Sequence, residues 1–521
     1  MAEEMFEYLT KKKLADLNAA EATSRIEAEI VLPEYKEEAE RIIRARPKAV
    51  IRSKSVYLRD KMLICEVEGT VGFHVLYQTA PKEEGEKASS FLHTEAFTQT
   101  LQFPLGAEEI AEEDVVLFAE AVPRSALVKL MGPRKLSAKC EVSVSVNVKC
   151  NQSVSLFPEM PAEDLITRGE EVKLTRLCKT HTEEMSFSQT ISLPKAYLPI
   201  EEICEMEAVL FTQNVRSEDG GVSFLGLCDL HCSYMAAGEN LFVSFYQPIE
   251  FERRLGIAEL SGDSFCRVSL TPVSLKATPE INEDGDNKNI LFELSFLCEV
   301  CGFETESVIM TTDAFSTRNH ILTEKKRETT RELLGVFDFT DTVKALLPSK
   351  NAEVVRAEGI CAGVEFRNSY LEEGKICLEG KLLFSYLGIT ESGEMRNYED
   401  SYEFHSHITP AFSIPEGEEC SVEVYGCARG IDVEPEGEQF RLRFDLCGSV
   451  SVFITHRPEL ICKLERGEEI VRKRGEIIFI YPREGEDLWS LAKEYHIPPE
   501  SVKAQNHLTG ETLPTYLKLI R

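Results

Sequence analysis

In three stretches of the chain every second residue is apolar, and each carries a glycine on that face. In the first, Cys65, Val67, Gly69, Val71, Phe73, Val75 and Tyr77 share a face. The second offers Val222, Phe224, Gly226, Cys228, Leu230, Cys232 and Tyr234. The third has Ile376, Leu378, Gly380, Leu382, Phe384 and Tyr386, with Gly388 where the first two carry tyrosine. A period of two belongs to a strand with one buried and one solvated face. The glycines lie 226 − 69 = 157 and 380 − 226 = 154 residues apart, a spacing that predicts three copies of one domain.

Each stretch follows a turn: Arg59-Asp60-Lys61, then Glu218-Asp219-Gly220-Gly221, then Glu372-Glu373-Gly374-Lys375. These read as hairpins, with glycine supplying positive φ in the second and third. Each domain closes on another alternating strand: Val142, Val144, Val146 and Val148; Phe292, Leu294, Phe296 and Cys298; Phe440, Leu442, Phe444 and Leu446. The expected fold is mainly β, with three repeated antiparallel β domains that contain short helices. The clearest helix expectation is Pro33 to Arg46, where proline takes a first helical position, Glu34, Glu37 and Glu38 come early, and Arg41, Arg44 and Arg46 come late. Leu198 to Ile203 and Thr342 to Leu347 are its expected counterparts. Glu283 to Lys288 reads as a loop tip rather than a calcium loop, because it lacks the twelve-residue ligand spacing.

The pattern changes after about residue 452. A charged linker is expected over 461–475, followed by a module over 476–521 in the order β-α-α-β. Its strands are Ile477 to Ile480 and Leu517 to Ile520, and its helices run from about Asp487 to His496 and from about Pro499 to Asn506. The β domains are expected over 28–160, 172–332 and 336–460, after a lead segment of residues 1–27.

The charge balance narrows the partners. Against 58 Lys+Arg stand 89 Asp+Glu, a net charge of −31, which repels nucleic acid and anionic membrane surfaces. Met1 to Glu7 lacks the basic start and apolar run of a signal peptide, and no run of about 18 apolar residues occurs, so a cytosolic protein that does not span a membrane is expected. The 16 cysteines are scattered along apolar strands and read as reduced thiols. Cys298 and Cys301 form a Cys-x-x-Cys, but residues three apart on a strand face opposite ways, which disfavours a metal or redox role. His405 and His407 share a face, with no third ligand to name. No nucleophile elbow, phosphate loop or His-Glu-x-x-His helix is present, so neither an enzyme nor a cofactor is expected.

Gly485-Glu486-Asp487-Leu488-Trp489-Ser490-Leu491-Ala492-Lys493-Glu494-Tyr495, followed by Ser501 to Asn506 and Leu508, resembles a LysM domain. Members of that family usually bind N-acetylglucosamine polymers between their two strand-helix loops. Here Ile480-Tyr481-Pro482 replaces Tyr-x-Val, Glu486 replaces an aspartate and Leu513-Pro514-Thr515-Tyr516 replaces a Pro-Gly-Gln turn. These departures point away from the sugar. Val31-Leu32-Pro33-Glu34-Tyr35-Lys36 with Arg41-Ile42-Ile43, then Val67-Glu68-Gly69 and Val75-Leu76-Tyr77, resemble the SPOCS domain of bacterial spore coat proteins. Several such domains followed by one LysM module resemble the coat morphogenetic proteins of endospore-forming bacteria. The resemblance implies a scaffold in the mother-cell cytosol at the forespore surface, whose LysM module grips the coat-basement ATPase and which gathers other coat proteins. Peptidoglycan binding is the alternative.

Trp489, the single tryptophan, is turned about 100° from Leu488 on the first helix, so it either covers the edge of a small core or anchors an interface. Ile477 to Ile480 is apolar on both faces, although a small module needs only one for its core. The expected protein-binding surface is therefore Ile477, Ile478, Gly485, Glu486, Asp487 and Trp489. Exposed strand edges in the β domains would also allow self-association.

Overall fold

The computed structural model describes residues 9–17, 19–80, 87–105, 110–157, 164–238, 241–350, 353–471, 476–483, 485–510 and 512–520. The start Met1 to Glu7 and residues 472–475 of the expected linker lie outside the described residues.

The chain is mainly β. Its first part holds β1 (Leu9–Asp16), β2 (Ala20–Val31), β3 (Ala39–Arg59), β4 (Met62–Thr79), β5 (Ala88–Pro104), β6 (Val115–Gly132) and β7 (Lys135–Leu156). Then come β8 (Leu165–Ser192), β9 (Ile200–Glu218), β10 (Gly221–Ala236), β11 (Leu241–Gly256), β12 (Phe265–Ile281) and β13 (Asn287–Ser316). The third part has β14 (Asn319–Arg327), β15 (Thr330–Pro348), β16 (Val354–Glu372), β17 (Lys375–Thr390), β18 (Met395–Ile408), β19 (Cys420–Glu436), β20 (Gln439–His456) and β21 (Glu459–Glu469). A small module of β22 (Ile477–Ile480), α1 (Leu488–Tyr495), α2 (Pro499–Asn506) and β23 (Leu517–Ile520) ends the chain.

Each glycine-bearing stretch is the middle strand of a three-stranded antiparallel sheet: β3-β4-β5, β11-β10-β9 and β16-β17-β18. Each packs on a second sheet centred on the closing strand: β7 between β2 and β6, β13 between β8 and β12, β20 between β15 and β19. The apolar faces expected from alternation meet across these sandwiches. Val67, Val71 and Phe73 lie with Val142, Val144 and Val146; Phe224 and Leu230 with Phe292 and Phe296; Leu378 and Phe384 with Phe440 and Phe444.

The glycines have a steric reason. Gly69, Gly226 and Gly380 are buried directly opposite Phe97, Phe251 and Phe404 on the neighbouring strand. Each ring lies over its glycine, so that a Cβ on Gly69 or Gly380 would sit 2.5 Å from the ring's Cζ. An aromatic ring thus fills the space that the absent side chain leaves. The hairpins before these strands use positive φ, at Asp60 (51°) and Lys61 (61°) in the first and at Glu373 (49°) and Gly374 (74°) in the third. Two successive positive φ values match the right-handed twist of the strands they join.

Three sequence expectations are overturned. Pro33 to Arg46 is not a helix: Lys36 N–H closes a turn on Pro33 O at 3.0 Å, and β3 begins at Ala39. The charge order that suggests a helix is outweighed by pairing along the length of β4. Pro47 lies within β3, an edge strand of its sheet, the place where a strand tolerates proline. The counterparts at 198–203 and 342–347 enter β9 and β15 as strand. The only helical piece among the described residues of the sandwiches is the single 3₁₀ turn Glu112–Asp114. Much of the expected linker 461–475 belongs to β21, which pairs with β14, and the expected lead segment supplies β1 and most of β2. The Glu283 to Lys288 turn joins β12 to β13, with Asn282 Oδ1 accepting from Asp284 and Asp286 N–H.

The three sandwiches close on one another in a ring. Lys36 Nζ of the first reaches Glu202 Oε1 of the second at 2.5 Å. Gly359 N–H of the third donates to Ser244 Oγ of the second at 2.7 Å. Lys149 and Lys13 of the first pair with Glu423 and Glu328 of the third, both at 2.6 Å. Ile43, Leu76 and Ala88 meet Cys204, Met235 and Phe242, and also Leu387 and Ile389, in one shared apolar centre. Leu14 and Val116, Leu177 and Phe303, and Leu333 and Phe453 form a second. Beyond that second centre, the ribbons β1-β7, β8-β13 and β14-β21 continue around Leu156, Leu174, Met310 and Leu460 as a stalk.

Beside the first shared centre, His74 is half-buried, and its desolvation together with the nearby Arg46 and Arg44 charges pushes its imidazole from 6.5 down to about 4. Its folded value lies below its unfolded one, so the unfolded chain binds the proton first and stability falls as pH drops from about 6.5 toward 4. At pH 5 this amounts to about 2 kcal/mol relative to pH 7. Urea denaturation at both values should show the loss, and a His74→Asn chain should lose less.

Candidate functional site

The C-terminal module builds its core from Ile480, Leu488, Leu491, Ile497, Val502, Leu517 and Leu519. Asp487 caps α1, its Oδ1 accepting from Ser490 N–H at 2.8 Å, and His496 ends the helix with φ 52°. Asn506, at the end of α2, completes the edge of β23. Its Oδ1 accepts from Lys518 N–H at 2.7 Å and its Nδ2 donates to Lys518 O at 2.9 Å. Gln505 does the same for Ile520, accepting from its N–H at 2.7 Å. Two side chains thus stand in for a third strand.

The expected site residues separate into three places. Ile478 packs against the module core, whereas Ile477 is exposed, because consecutive strand residues face opposite ways. Gly485, Glu486 and Asp487 form a loop at the surface. Gly485 has φ 83°, and Glu486 Oε2 accepts from Arg483 N–H at 2.9 Å. Trp489 faces neither solvent alone nor its own core, but lies against the end of the stalk. Its Nε1 donates to Asp313 Oδ2 at 2.8 Å, and its ring meets Phe315 edge-on with centroids 5.2 Å apart.

The rest of the same helix face follows Trp489. Lys493 Nζ reaches Asp313 Oδ1 at 2.7 Å, His496 Nδ1 lies 3.0 Å from Ser316 O, and Asp487 pairs with Arg168 of β8 at 3.0 Å. Partial burial alone would raise the Asp313 carboxyl, but the hydrogen bonds from Lys493 and Trp489 hold it below the usual range. The Ser490 hydrogen bonds, and then Arg168, do the same for Asp487.

The opposite side of the module is open. Ile477, Phe479 and Tyr481 alternate along one face and are 52%, 61% and 74% exposed, and Ile520, directly across from Ile477, is 45% exposed. Phe479, Tyr481 and Ile520 extend the surface beyond the residues expected from sequence, although the period of two from Ile477 was there to be read. Beside this ridge, the loop that carries Arg483, Gly485 and Asp487 faces Leu513 and Pro514 across an open groove of about 720 Å³.

Comparison of the chain with protein-family models, curated proteins and solved structures finds no match.

Elsewhere, Cys298 lies in the second sandwich core and Cys301 in the shared centre beside the stalk. Burial pushes their thiols up to about 12 and about 11. His405 and His407 are exposed on β18. Among the described residues, no three His, Cys, Asp or Glu side chains gather closely enough to hold a metal ion. No described helix is long and apolar enough to cross a membrane.

Proposed function

We propose that the chain is a non-catalytic scaffold of the bacterial spore coat, made of three copies of a SPOCS-type β domain and a C-terminal LysM-type module. It works in the mother-cell cytosol at the forespore surface, where the module binds the coat-basement ATPase and the β domains gather other coat proteins. The observation that carries this reading is the exposed ridge of Ile477, Phe479, Tyr481 and Ile520 on a module whose core lies wholly on the other face of its sheet. Aromatic and aliphatic side chains held on a rigid strand lose little freedom on binding and suit a protein partner. A peptidoglycan-binding role is the second reading, favoured by the groove between the Arg483 to Asp487 loop and Leu513-Pro514.

Capture of coat proteins by the full chain, run beside retention on peptidoglycan, separates the two. Phe479→Glu should weaken ATPase capture by about 2 kcal/mol or more, roughly thirtyfold. Because Phe479 is exposed, the thermal midpoint should stay where it is. Strong retention on peptidoglycan with no protein capture would replace the first reading by the second.

A further inference from the structure

Cys427 and Cys447 stand directly opposite each other on the antiparallel strands β19 and β20. Among the described strand registers, no other two cysteines are paired in this way. Both side chains enter the small cluster that Phe211, Leu225 and Leu227 of the second sandwich form against the third, so they leave their strands on the same face. On the neighbouring rung Gly426 faces Gly448, and a Cβ on Gly426 would lie 2.5 Å from Cys447 O. With no side chain to hold them apart there, the two strands approach closely. Opposed residues of an antiparallel pair have Cα atoms about 4.5–5.5 Å apart, inside the roughly 4.4–6.8 Å that a disulfide spans. Cys298 and Cys301, the pair with the more conspicuous spacing, belong to separate cores and lack this geometry.

We infer that Cys427 and Cys447 are a dithiol built to close into an internal disulfide when the protein meets a small-molecule disulfide oxidant such as oxidised glutathione. Cys427, only partly covered, reacts first. Its thiolate attacks one sulfur of the oxidant, forms a mixed disulfide and releases one glutathione thiolate. The thiolate of Cys447 then attacks the Cys427 sulfur and releases the second. Two protons leave the cysteines and two electrons pass to the oxidant, which becomes two molecules of glutathione. Burial pushes both thiols above their ordinary value, which makes the reaction slow but shields the product from reduction. The bond would fasten β19 to β20 beneath Phe211, at the seam between two sandwiches.

The test is peptide mapping without reduction after the full chain is incubated with oxidised glutathione, and after it is refolded in a glutathione redox buffer. The expected result is a linked peptide pair containing Cys427 and Cys447, a loss of two of the 16 titratable thiols, and recovery of both with dithiothreitol. Cys447→Ser should instead leave Cys427 carrying glutathione, with no internal link. Finding both cysteines free under both treatments, or joined to other cysteines, would overturn the assignment.

Discussion

Arg44→Met should destabilise the chain by about 3–5 kcal/mol, because it removes one partner from a buried ion pair and strands the other. The Arg44 side chain has no exposed surface, and Glu205, its partner, is 8% exposed. Arg44 starts from β3 of the first sandwich, donates through Nε to Glu205 Oε1 of the second at 3.2 Å and through Nη1 to Gly359 O of the third at 2.6 Å. A single guanidinium thus ties together all three parts of the ring. Burial lowers its own affinity for a proton to about 10, still high enough to keep the charge at neutral pH. Methionine preserves much of the length but offers neither charge nor donors, leaving the buried Glu205 carboxylate with the His74 ring, whose Nδ1 lies 3.3 Å from Oε1, as its nearby partner. The companion variant decides whether the loss comes from the stranded carboxylate: Arg44→Met with Glu205→Met should recover most of it, since replacing both partners of a buried pair by apolar groups is often close to neutral. Urea denaturation of the full chain measures both. A double variant as unstable as the single one would mean that the Gly359 carbonyl contact, or packing, dominates instead.

Gly69→Val is expected to cost about 3 kcal/mol, at the upper end for overpacking a core. A Cβ at this position would lie 2.5 Å from Phe97 Cζ and also 2.5 Å from Val50 O. The ring has somewhere to go, but the carbonyl belongs to the adjacent strand and can move only with the sheet. Gly132, near the end of β6, has nothing within 4 Å of its Cβ direction. Gly132→Ala should therefore change stability by less than about 0.5 kcal/mol. Combining Gly69→Ala with Phe97→Leu should return part of what Gly69→Ala alone loses, showing that ring and glycine are coupled. Chemical denaturation of these chains and of Phe97→Leu alone supplies the comparison, and additive losses would show that the backbone contact is the whole cause.

What could be read in advance was local. Alternation along Cys65 to Tyr77 places every second residue in a core because a strand repeats every two residues, whatever lies around it. The βααβ order of the module was legible because its cap Asp487, its Pro499 helix start and its short apolar runs lie close together in the chain. The failures share a different cause. Pro33 to Arg46 carries a charge order that suits a helix, but its fate is decided by β4, whose partnering residues lie further along the chain. β21 shows mostly charge, because Leu460, Ile461 and Leu464 are the few side chains it buries and the rest face water. Arg44 is one of 58 basic residues, and nothing near it in sequence distinguishes it from the others. That Trp489 sits off the buried stripe could be read from its angle on the helix, but not whether it covers the core's edge or an interface, nor that Asp313 and Phe315 would be its neighbours. Contacts between distant segments carry no signature within either segment.

The closed ring has a consequence for how the protein is made. Lys13, near the start, pairs with Glu328, 315 residues later, and Leu14 shares an apolar centre with Leu333 and Phe453. At about 5–20 residues per second, a ribosome needs roughly 15–60 s to deliver the partner of Lys13 after Lys13 itself has been made. Until the second sandwich brings Leu177, Phe303 and Glu205, the nascent first sandwich can complete its own core but must hold Leu14, Val116 and the Arg44 side chain uncovered, and their cover stays incomplete until the third arrives. The finished molecule hides these groups thoroughly, so the greatest exposure of its joining surfaces belongs to its synthesis, when a chaperone or a neighbouring nascent chain would find them first.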